Sequence, residues 1–415
     1  MVKKSYGRRP ASSTPNEVFV AQRLNWEAFD NLRKAMYIRI EKFGSERISI
    51  DFQRTEAILP NGIVPLIALV KKYQTEGVAV EVIPPRSVDL NNLVKFEGWF
   101  YSIDPSRFGR PEAHGYNSLP LRVFSNDTEL NSAVNDAIEV ALRNLTMAKS
   151  VSGAFEWTLN EIGGNVLHHA QSELGFIQVN SFPRNSKLSI VVADSGIGVP
   201  KSLRERFSDI ANDRVAVETA VQKGVTSKPN FGQGNGLAGS VAIAVQSNAF
   251  FSLTSGGGRL VVENGVLTVR DFMPPLYGTV VEIQLPTDRE IDLPAALWGH
   301  NPSTYIEERF EVDASTLELK LRSCAQTFGN RITGQKIRNL IQNLMNESPS
   351  SDLVIDFEGV NIVASSFADE VFGKLFVELG PLGFTSRIRF HNMNGTCRQL
   401  IDTAITERVL QGRDA

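Results

Sequence analysis

Apolar and polar positions along the first hundred residues fall into blocks that predict helices and strands in alternation. Spacing with a helical period covers residues 26–43 and 63–73, whereas short apolar runs at residues 48–52 and 78–83 predict strands. Such alternation is typical of an α/β layer with a parallel sheet. Residues 84–120 then hold a short helix and a loop rich in Pro, Gly, Ser and Asn, which indicates a domain boundary.

The last third of the chain returns to the same alternation. Aligning Asp51 with Asp356 places Pro60 on Ser365 without a gap, and the following helices coincide. The two flanks therefore look like copies of one unit, although chance is an alternative because IDF is a common strand ending. The predicted elements here are a helix at residues 335–345, a strand at 353–357, a helix at 366–379, a strand at 388–391 and a helix at 396–410.

The middle third carries the candidate chemistry, starting with the helical stretch WTLNEIGGNVLHHA at residues 157–170. Ile162 and Val166 share one arc of this helix, while Glu161 and Asn165 lie one turn apart on another. A carboxylate there could take a proton from water or a hydroxyl, and the amide oxygen could ligate Mg²⁺, as in a nucleotide site. Taken alone, the pattern favours a plainer interpretation, an amphipathic helix with a solvated polar face.

Two glycine-containing segments follow this helix. The apolar strand at residues 188–193 ends in Asp194, followed by Gly196 and Gly198, an arrangement suited to reading an exocyclic amine such as that of adenine. Turns use the same residues, however. The glycine-rich residues 224–239 run into an apolar helix, whose amides and dipole could bind phosphates. A flexible surface loop is the alternative.

The ordered set ExxxN, DxGxG, GxGxGL and GTxVxxxLP resembles the Bergerat ATP-binding fold of the GHKL superfamily, over roughly residues 125–288. That superfamily includes gyrase, heat-shock chaperones, histidine kinases and mismatch-repair ATPases. The resemblance implies ATP and Mg²⁺ as cofactors, with Glu161 as general base, Asn165 as Mg²⁺ ligand and Asp194 as adenine reader. The other contacts it implies are Gly196 and Gly198 in the pocket floor, Lys228 at the phosphates, Gly232, Gly234, Gly236 and Leu237 in the lid, and Thr279 at the adenine.

Some residues depart from the sensor-kinase pattern. Asn235 and Ala238 stand where sensor-kinase lids usually carry Thr and Gly, and His114 lies in a loop instead of on a phosphoacceptor helix. A conventional sensor histidine kinase is therefore not expected. For His168 and His169 a surface or supporting role is favoured over a catalytic one.

The C-terminal copy, with DFEGVNIVASSFADEVFGKLF, resembles the STAS-like domains of the DUF4325 type, relatives of anti-sigma-factor antagonists. In that wider family a Ser-Ser pair at this helix start holds the residue phosphorylated by a GHKL serine kinase. The resemblance makes Ser365 and Ser366 candidate phosphoacceptors, although Phe367 stands where Gly usually follows. A helix cap at Ser365, with Asp369 and Glu370 in the first turn, is the favoured alternative.

Composition narrows the function classes without adding a site. The 415 residues are 42% hydrophobic and 21% charged, with a net charge of −3. The chain has no excess of basic residues, so nucleic acid is not indicated as its main partner. Cys324 and Cys397 show no metal-ligand spacing and are expected to be reduced thiols. The longest apolar run, residues 63–70, is too short for a membrane span, and the basic start lacks the apolar segment of a signal peptide. A cytoplasmic protein without membrane contact is expected.

Together these patterns predict an α/β protein in which a central Bergerat-fold α/β sandwich is flanked by two small STAS-like α/β domains. The predicted divisions are a disordered basic tail at 1–19, a STAS-like domain at 20–118, a GHKL domain at 119–290 and a second STAS-like domain at 300–415. The predicted function is Mg²⁺-dependent ATP binding and hydrolysis that controls how the flanking domains meet a protein partner. A serine kinase acting on Ser365 or on a separate STAS protein is one alternative, and a non-hydrolysing scaffold is another. A homodimer is left open, because no heptad stretch specifies one.

Overall fold

The protein has a mixed α/β architecture, as predicted, in a computed structural model that describes residues 16–111, 118–227 and 234–411. Three units follow one another along the chain. They are built on a three-stranded, a five-stranded and a four-stranded sheet, and two further short strands pair separately. Within the described ranges, every helix is too short or too polar to cross a membrane.

The N-terminal unit is a three-stranded parallel sheet with helices packed against it, in the order β1-β3-β5. The predicted tail is too long, because β1 begins at Glu17 and pairs with β3. The predicted boundary stretch contains two helices instead of one. The elements are β1 (Glu17–Phe19), β2 (Arg23–Leu24), α1 (Trp26–Tyr37) with a π-helical continuation (Ile38–Lys42), β3 (Arg47–Asp51), β4 (Ala57–Ile58), α2 (Pro60–Thr75), β5 (Ala79–Ile83), α3 (Val88–Glu97) and α4 (Trp99–Ile103).

The central unit is an antiparallel five-stranded sheet in the order β6-β7-β8-β10-β9, with helices on its inner face. Phe155, Leu159 and Ile162 of α6 are buried there, since the helical period places them on one side. The elements are β6 (Ser118–Phe124), α5 (Asp127–Asn144), α6 (Val151–His169), β7 (Gly175–Phe182), β8 (Lys187–Asp194), α7 (Gly198–Arg204), α8 (Asp213–Ala220), α9 (Gly236–Ser247), β9 (Phe250–Glu263), β10 (Val266–Pro286) and α10 (Leu293–Ala296).

The outer face of this sheet is covered by the N-terminal unit. Helix α2 packs across β7, β8 and β10, and the two units share one apolar core. At the start of α2, the Asn61 amide donates to Glu282 Oε1 of β10 (2.9 Å). Covering both faces buries apolar side chains that would otherwise face water, so the N-terminal unit stabilises the central sheet.

A buried polar cluster also joins these two units. The Trp99 indole N–H donates to Gln178 Oε1 (2.8 Å), and the Gln178 amide donates to Glu97 Oε2 (2.8 Å). Burial raises the pKa of Glu97 to about 7. Because each buried polar group finds a partner, the cluster fixes the position of α3 and α4 on β7.

The C-terminal unit repeats the strand and helix order of the N-terminal one. Strands β12, β13 and β14 are parallel, and β11 adds an antiparallel edge. Helices α2 and α14 begin at the aligned residues Pro60 and Ser365. The elements are α11 (Tyr305–Phe310), β11 (Glu311–Asp313), β12 (Thr316–Lys320), α12 (Leu321–Cys324), α13 (Arg331–Glu347), β13 (Asp352–Asp356), α14 (Ser365–Ala368), a π-helical turn (Asp369–Gly373), α15 (Lys374–Arg387), β14 (Ile388–His391) and α16 (Gly395–Gln411).

One buried amide ties the C-terminal unit to the central unit. The Asn343 side chain of α13 donates to the carbonyls of Leu142 (2.8 Å) and Leu145 (2.7 Å) and accepts from the Met147 N–H (2.7 Å). These three backbone groups lie at the end of α5 and in the loop after it, where helical partners run out. Asn343 of the C-terminal unit therefore supplies hydrogen-bond partners to backbone groups at a helix end of the central unit.

Replacing Asn343 by Ala is expected to destabilise the protein by about 2–4 kcal/mol, because three backbone groups lose their buried partner. Urea unfolding of the variant and the wild type measures the difference. The matched control is Asn346→Ala, which removes a single bond to the Met147 carbonyl (2.8 Å) and should cost about 1 kcal/mol. Equal losses in the two variants would show that Asn343 does not act as the anchor.

Candidate functional site

A cavity of about 530 Å³ lies between α6, the end of β8 and the start of α9. Its volume is in the range of pockets that bind small molecules. Gly196 lies outside its lining, and Lys228 and Gly232 lie outside the described residues. The structure brings eight of the predicted site residues to this cavity: Glu161, Asn165, Asp194, Gly198, Gly234, Gly236, Leu237 and Thr279.

Asp194 is the buried carboxylate of the cavity, only 2% exposed at the end of β8. Its Oδ1 accepts from the Gly196 N–H (2.7 Å), and both the N–H and the hydroxyl of Thr279 donate to it. The pairing of β8 with β10 brings Thr279 there. Burial raises the pKa of Asp194 to about 7. A carboxylate can accept about four hydrogen bonds, so three donors leave room for a ligand N–H.

Gly196 has a packing role against the end of α6. A Cβ at this position would lie 2.0 Å from the Ala170 carbonyl oxygen, at the end of α6. The next residue, Ile197, donates its N–H to the same oxygen (2.7 Å). Glycine is needed here because the turn after β8 passes directly against α6. The placement of Gly196 in the pocket floor stays a prediction.

Glu161 presents a carboxylate to the cavity from the middle of α6. Its side chain is half-buried, and this burial raises its pKa. A Cβ on Gly236 would lie 2.0 Å from Glu161 Oε2, so the carboxylate rests against the first residue of α9. Only glycine leaves room for it there.

Asn165 lies one turn beyond Glu161 and is also half-buried at the cavity. Within the described residues, the side chains of Glu161 and Asn165 make no hydrogen bond or ion pair to the protein. Polar groups that line a cavity without protein partners are available to a ligand or to water.

The two ends of the glycine-rich loop are held together beside the cavity. The Gly224 N–H donates to the Gly234 carbonyl (3.1 Å) and to Asn235 Oδ1 (3.1 Å). Asn235, which departs from the sensor-kinase pattern, therefore closes the base of this loop. The Ser227 hydroxyl lies 3.0 Å from His169 Nδ1, which gives His169 a supporting contact to the loop.

Sequence reasoning missed one wall of the cavity, which comes from the segment between the central and C-terminal units. Leu297, Trp298 and His300 line the cavity beside Trp157 of α6. Trp298 is 43% exposed. The predicted domains leave residues 291–299 unassigned, and a tryptophan in such a short connection was the available signal.

The serine pair of the C-terminal unit lies outside the cavity lining. Helix α14 begins at Ser365, and its N-cap is Ala364, which offers no side-chain bond. The predicted cap at Ser365 is therefore wrong. Ser365 is exposed and Ser366 half-buried. Asp369 pairs with Arg408 of α16 (2.5 Å) instead of acting on the first turn.

Side chains that commonly ligate metal ions do not cluster within the described residues. In the part of the chain that is described, no group of three or more His, Cys, Asp or Glu side chains could hold a metal ion. Cys324 and Cys397 are free thiols.

Comparison with known families identifies one part of the chain. The family model of a STAS-like domain of unknown function (DUF4325) matches residues 333–397, which run from α13 to the start of α16. The C-terminal unit therefore contains a STAS-like domain, as predicted, which is compatible with a regulatory role. No curated protein matches the chain.

Proposed function

We propose that the central unit is a GHKL-type ATPase with the Bergerat fold, whose nucleotide state controls the flanking units. The observation that carries this proposal is the convergence of Glu161, Asn165, Asp194 and Thr279 on one cavity. They come from three separate segments, yet together they supply the groups that a nucleotide needs: an amine acceptor, an amide ligand and a base. The STAS-like domain supports a regulatory output for the hydrolysis.

The adenine would bind at the buried end of the cavity. Asp194 has acceptor capacity left after its bonds from Gly196 and Thr279, and an exocyclic amine donates to such a carboxylate. Because Asp194 is buried, a base without this amine would leave its carboxylate with an unfilled acceptor position. Asp194 would therefore select adenine over guanine.

The phosphates would lie between Asn165 and the start of α9. The free amides and positive dipole end of this 12-residue helix favour anions. Asn165 and the phosphates would hold Mg²⁺, which would supply positive charge against the phosphate oxygens. The Asn165 amide has no hydrogen-bond partner among the described residues, which suits this role. Mg²⁺ commonly combines one or two protein ligands with phosphates and water.

Glu161 would act as the general base for hydrolysis. It would take a proton from water as the water oxygen bonds to the γ-phosphorus, and the bond to the β–γ bridging oxygen would break to release ADP. Burial raises the pKa of its carboxyl, which makes the carboxylate a stronger base.

Incubation of the full chain with γ-labelled ATP and Mg²⁺ tests the proposal, with free phosphate and label on the protein followed together. The ATPase releases labelled free phosphate and leaves the protein unlabelled. A serine kinase is the second candidate, favoured by Ser365, which is exposed and does not cap its helix. Such a kinase would leave label on that serine or on a separate STAS protein. A scaffold would give neither product.

The hydrolysis rate should fall with decreasing pH along a limb set by Glu161. Only the carboxylate form accepts a proton, and burial places its pKa above the ordinary glutamate value of 4.5. Activity is therefore lost as pH falls through this raised pKa, at a higher pH than for an exposed glutamate. A kcat profile against pH measures the limb. If the residual activity of Glu161→Gln fell with pH in the same way as that of the wild type, the titrating group would not be Glu161.

A further inference from the structure

The connector, defined as residues 287–304 between β10 and α11, forms one end of the cavity. Its side chains Leu297, Trp298 and His300 line the cavity, and the His300 ring lies 5.2 Å from the Trp157 ring. Trp157 is one helical turn before Glu161 on α6. The connector therefore contacts α6 one turn before Glu161 and lines the same cavity as the carboxylate that would activate the acceptor.

Helix α9 closes the same end from the other side. A Cβ on Gly239 would lie 2.8 Å from Leu297 Cδ2 and 3.0 Å from Trp157 Nε1. Gly236, three residues earlier, faces Glu161 in the same way. Helices α6 and α9 thus meet along a glycine face, and Leu297 packs in the remaining space between them.

The connector is held in place at both of its ends. Before α10, the Ile291 N–H donates to the Lys149 carbonyl (3.2 Å). After it, the Tyr305 N–H donates to Glu156 Oε2 of α6 (2.7 Å). Between these points the Lys223 ammonium lies 4.8 Å from the centre of the Trp298 ring, a cation–π distance. The wall is therefore an ordered part of the cavity, tied to the base of the glycine-rich loop.

We propose that this wall determines the phosphoryl acceptor by excluding hydroxyl groups larger than water from Glu161. The inference rests on the proposed function and names the acceptor of that reaction as water. A serine arrives attached to a peptide backbone and needs an open approach to the γ-phosphate, whereas water needs only the space beside the carboxylate. Trp298 and His300 line the cavity on the Trp157 side, from which such an acceptor would have to approach.

Glycerol, used as a small polyhydroxy acceptor, tests this with the full chain, γ-labelled ATP and Mg²⁺. Wild type is expected to form labelled free phosphate and almost no glycerol phosphate. Trp298→Ala should raise the ratio of glycerol phosphate to free phosphate by about tenfold or more, because the removed ring opens the wall. His300→Ala should shift the ratio in the same direction, and Trp298→Phe should restore it towards wild type.

The matched control is Phe182→Ala at the end of β7, since Phe182 and Trp298 are both 43% exposed. The Phe182→Ala variant should give the same ratio of glycerol phosphate to free phosphate as the wild type. The inference would be overturned if both Trp298→Ala and His300→Ala gave the wild-type ratio of products. It would also be overturned if the wild type readily formed glycerol phosphate. In either case, release of free phosphate would still uphold the proposed function. Absence of both products and of ATP binding in the wild type would instead refute the proposed function, and the inference with it.

Discussion

Glu161→Gln is expected to lower the rate of ATP hydrolysis by about 10²–10⁴-fold, with the Kd for ATP within about threefold of wild type. Glutamine has nearly the same shape and can still rest against Gly236, but its amide cannot take a proton from water. The loss therefore falls on kcat and not on binding. Phosphate release under saturating ATP, together with a binding titration, separates the two quantities.

Glu156→Gln is the matched control for this prediction. Glu156 lies on the same helix, and burial raises its pKa to about 7, but it accepts from the Tyr305 N–H and lies outside the cavity lining. Its variant should hydrolyse ATP at a rate near that of wild type. If Glu161→Gln were as fast as wild type, or if both variants lost activity equally, Glu161 would not be the base.

Asp194→Asn is expected to weaken ATP binding by about 10²–10³-fold. Asparagine keeps one acceptor oxygen for the Gly196 N–H, but its amide N–H₂ replaces the oxygen that would receive the adenine amine. Two donors would then face each other in a buried site, where an unmade hydrogen bond is costly. Calorimetric titration with ADP and Mg²⁺ measures the change without turnover.

Asp213→Asn controls for the loss of a carboxylate that also binds a backbone amide. Asp213 Oδ2 accepts from the Gly257 N–H (2.7 Å), as Asp194 does from Gly196, but it lies outside the cavity lining. Its variant should bind ADP within about threefold of wild type. Tight binding by Asp194→Asn would remove Asp194 from the nucleotide site.

Local periodicity was sufficient to place part of the candidate site. Glu161 and Asn165 are four residues apart, so any helix puts them on one face, and the structure has both at the cavity. Asp194 and Thr279 are different, because they meet through the register of β8 with β10. No local pattern specifies that pairing, and only the order of the motifs indicated it.

Tertiary packing accounts for what the sequence did not predict. The wall at Trp298 depends on the path of the connector, and the Asn343 anchor depends on where α13 meets α5. The cap at Ser365 was missed by one residue, because Ala364 already has extended φ and ψ values of −77° and 153°. Helix boundaries of this kind depend on the backbone turn before them.

The two repeated units use the same helix start in different ways. In the N-terminal unit, Asn61 is occupied by its bond to Glu282 on the outer face of the central sheet. The residue aligned with Asn61 in the C-terminal unit is Ser366, which is half-buried, and Ser365 before it is exposed. A shared strand order therefore does not imply a shared role, and the contacts of each copy have to be considered separately.

Whether the cavity binds a nucleotide is tested by titrating the full wild-type chain with a non-hydrolysable ATP analogue and Mg²⁺, followed by calorimetry and thermal unfolding. We expect one saturable site per chain and a rise in the free energy of unfolding of about 2.7 kcal/mol when the free analogue is at 100 times its Kd. The absence of saturable binding and of any shift in unfolding would contradict this expectation, and the cavity would then not be a nucleotide site.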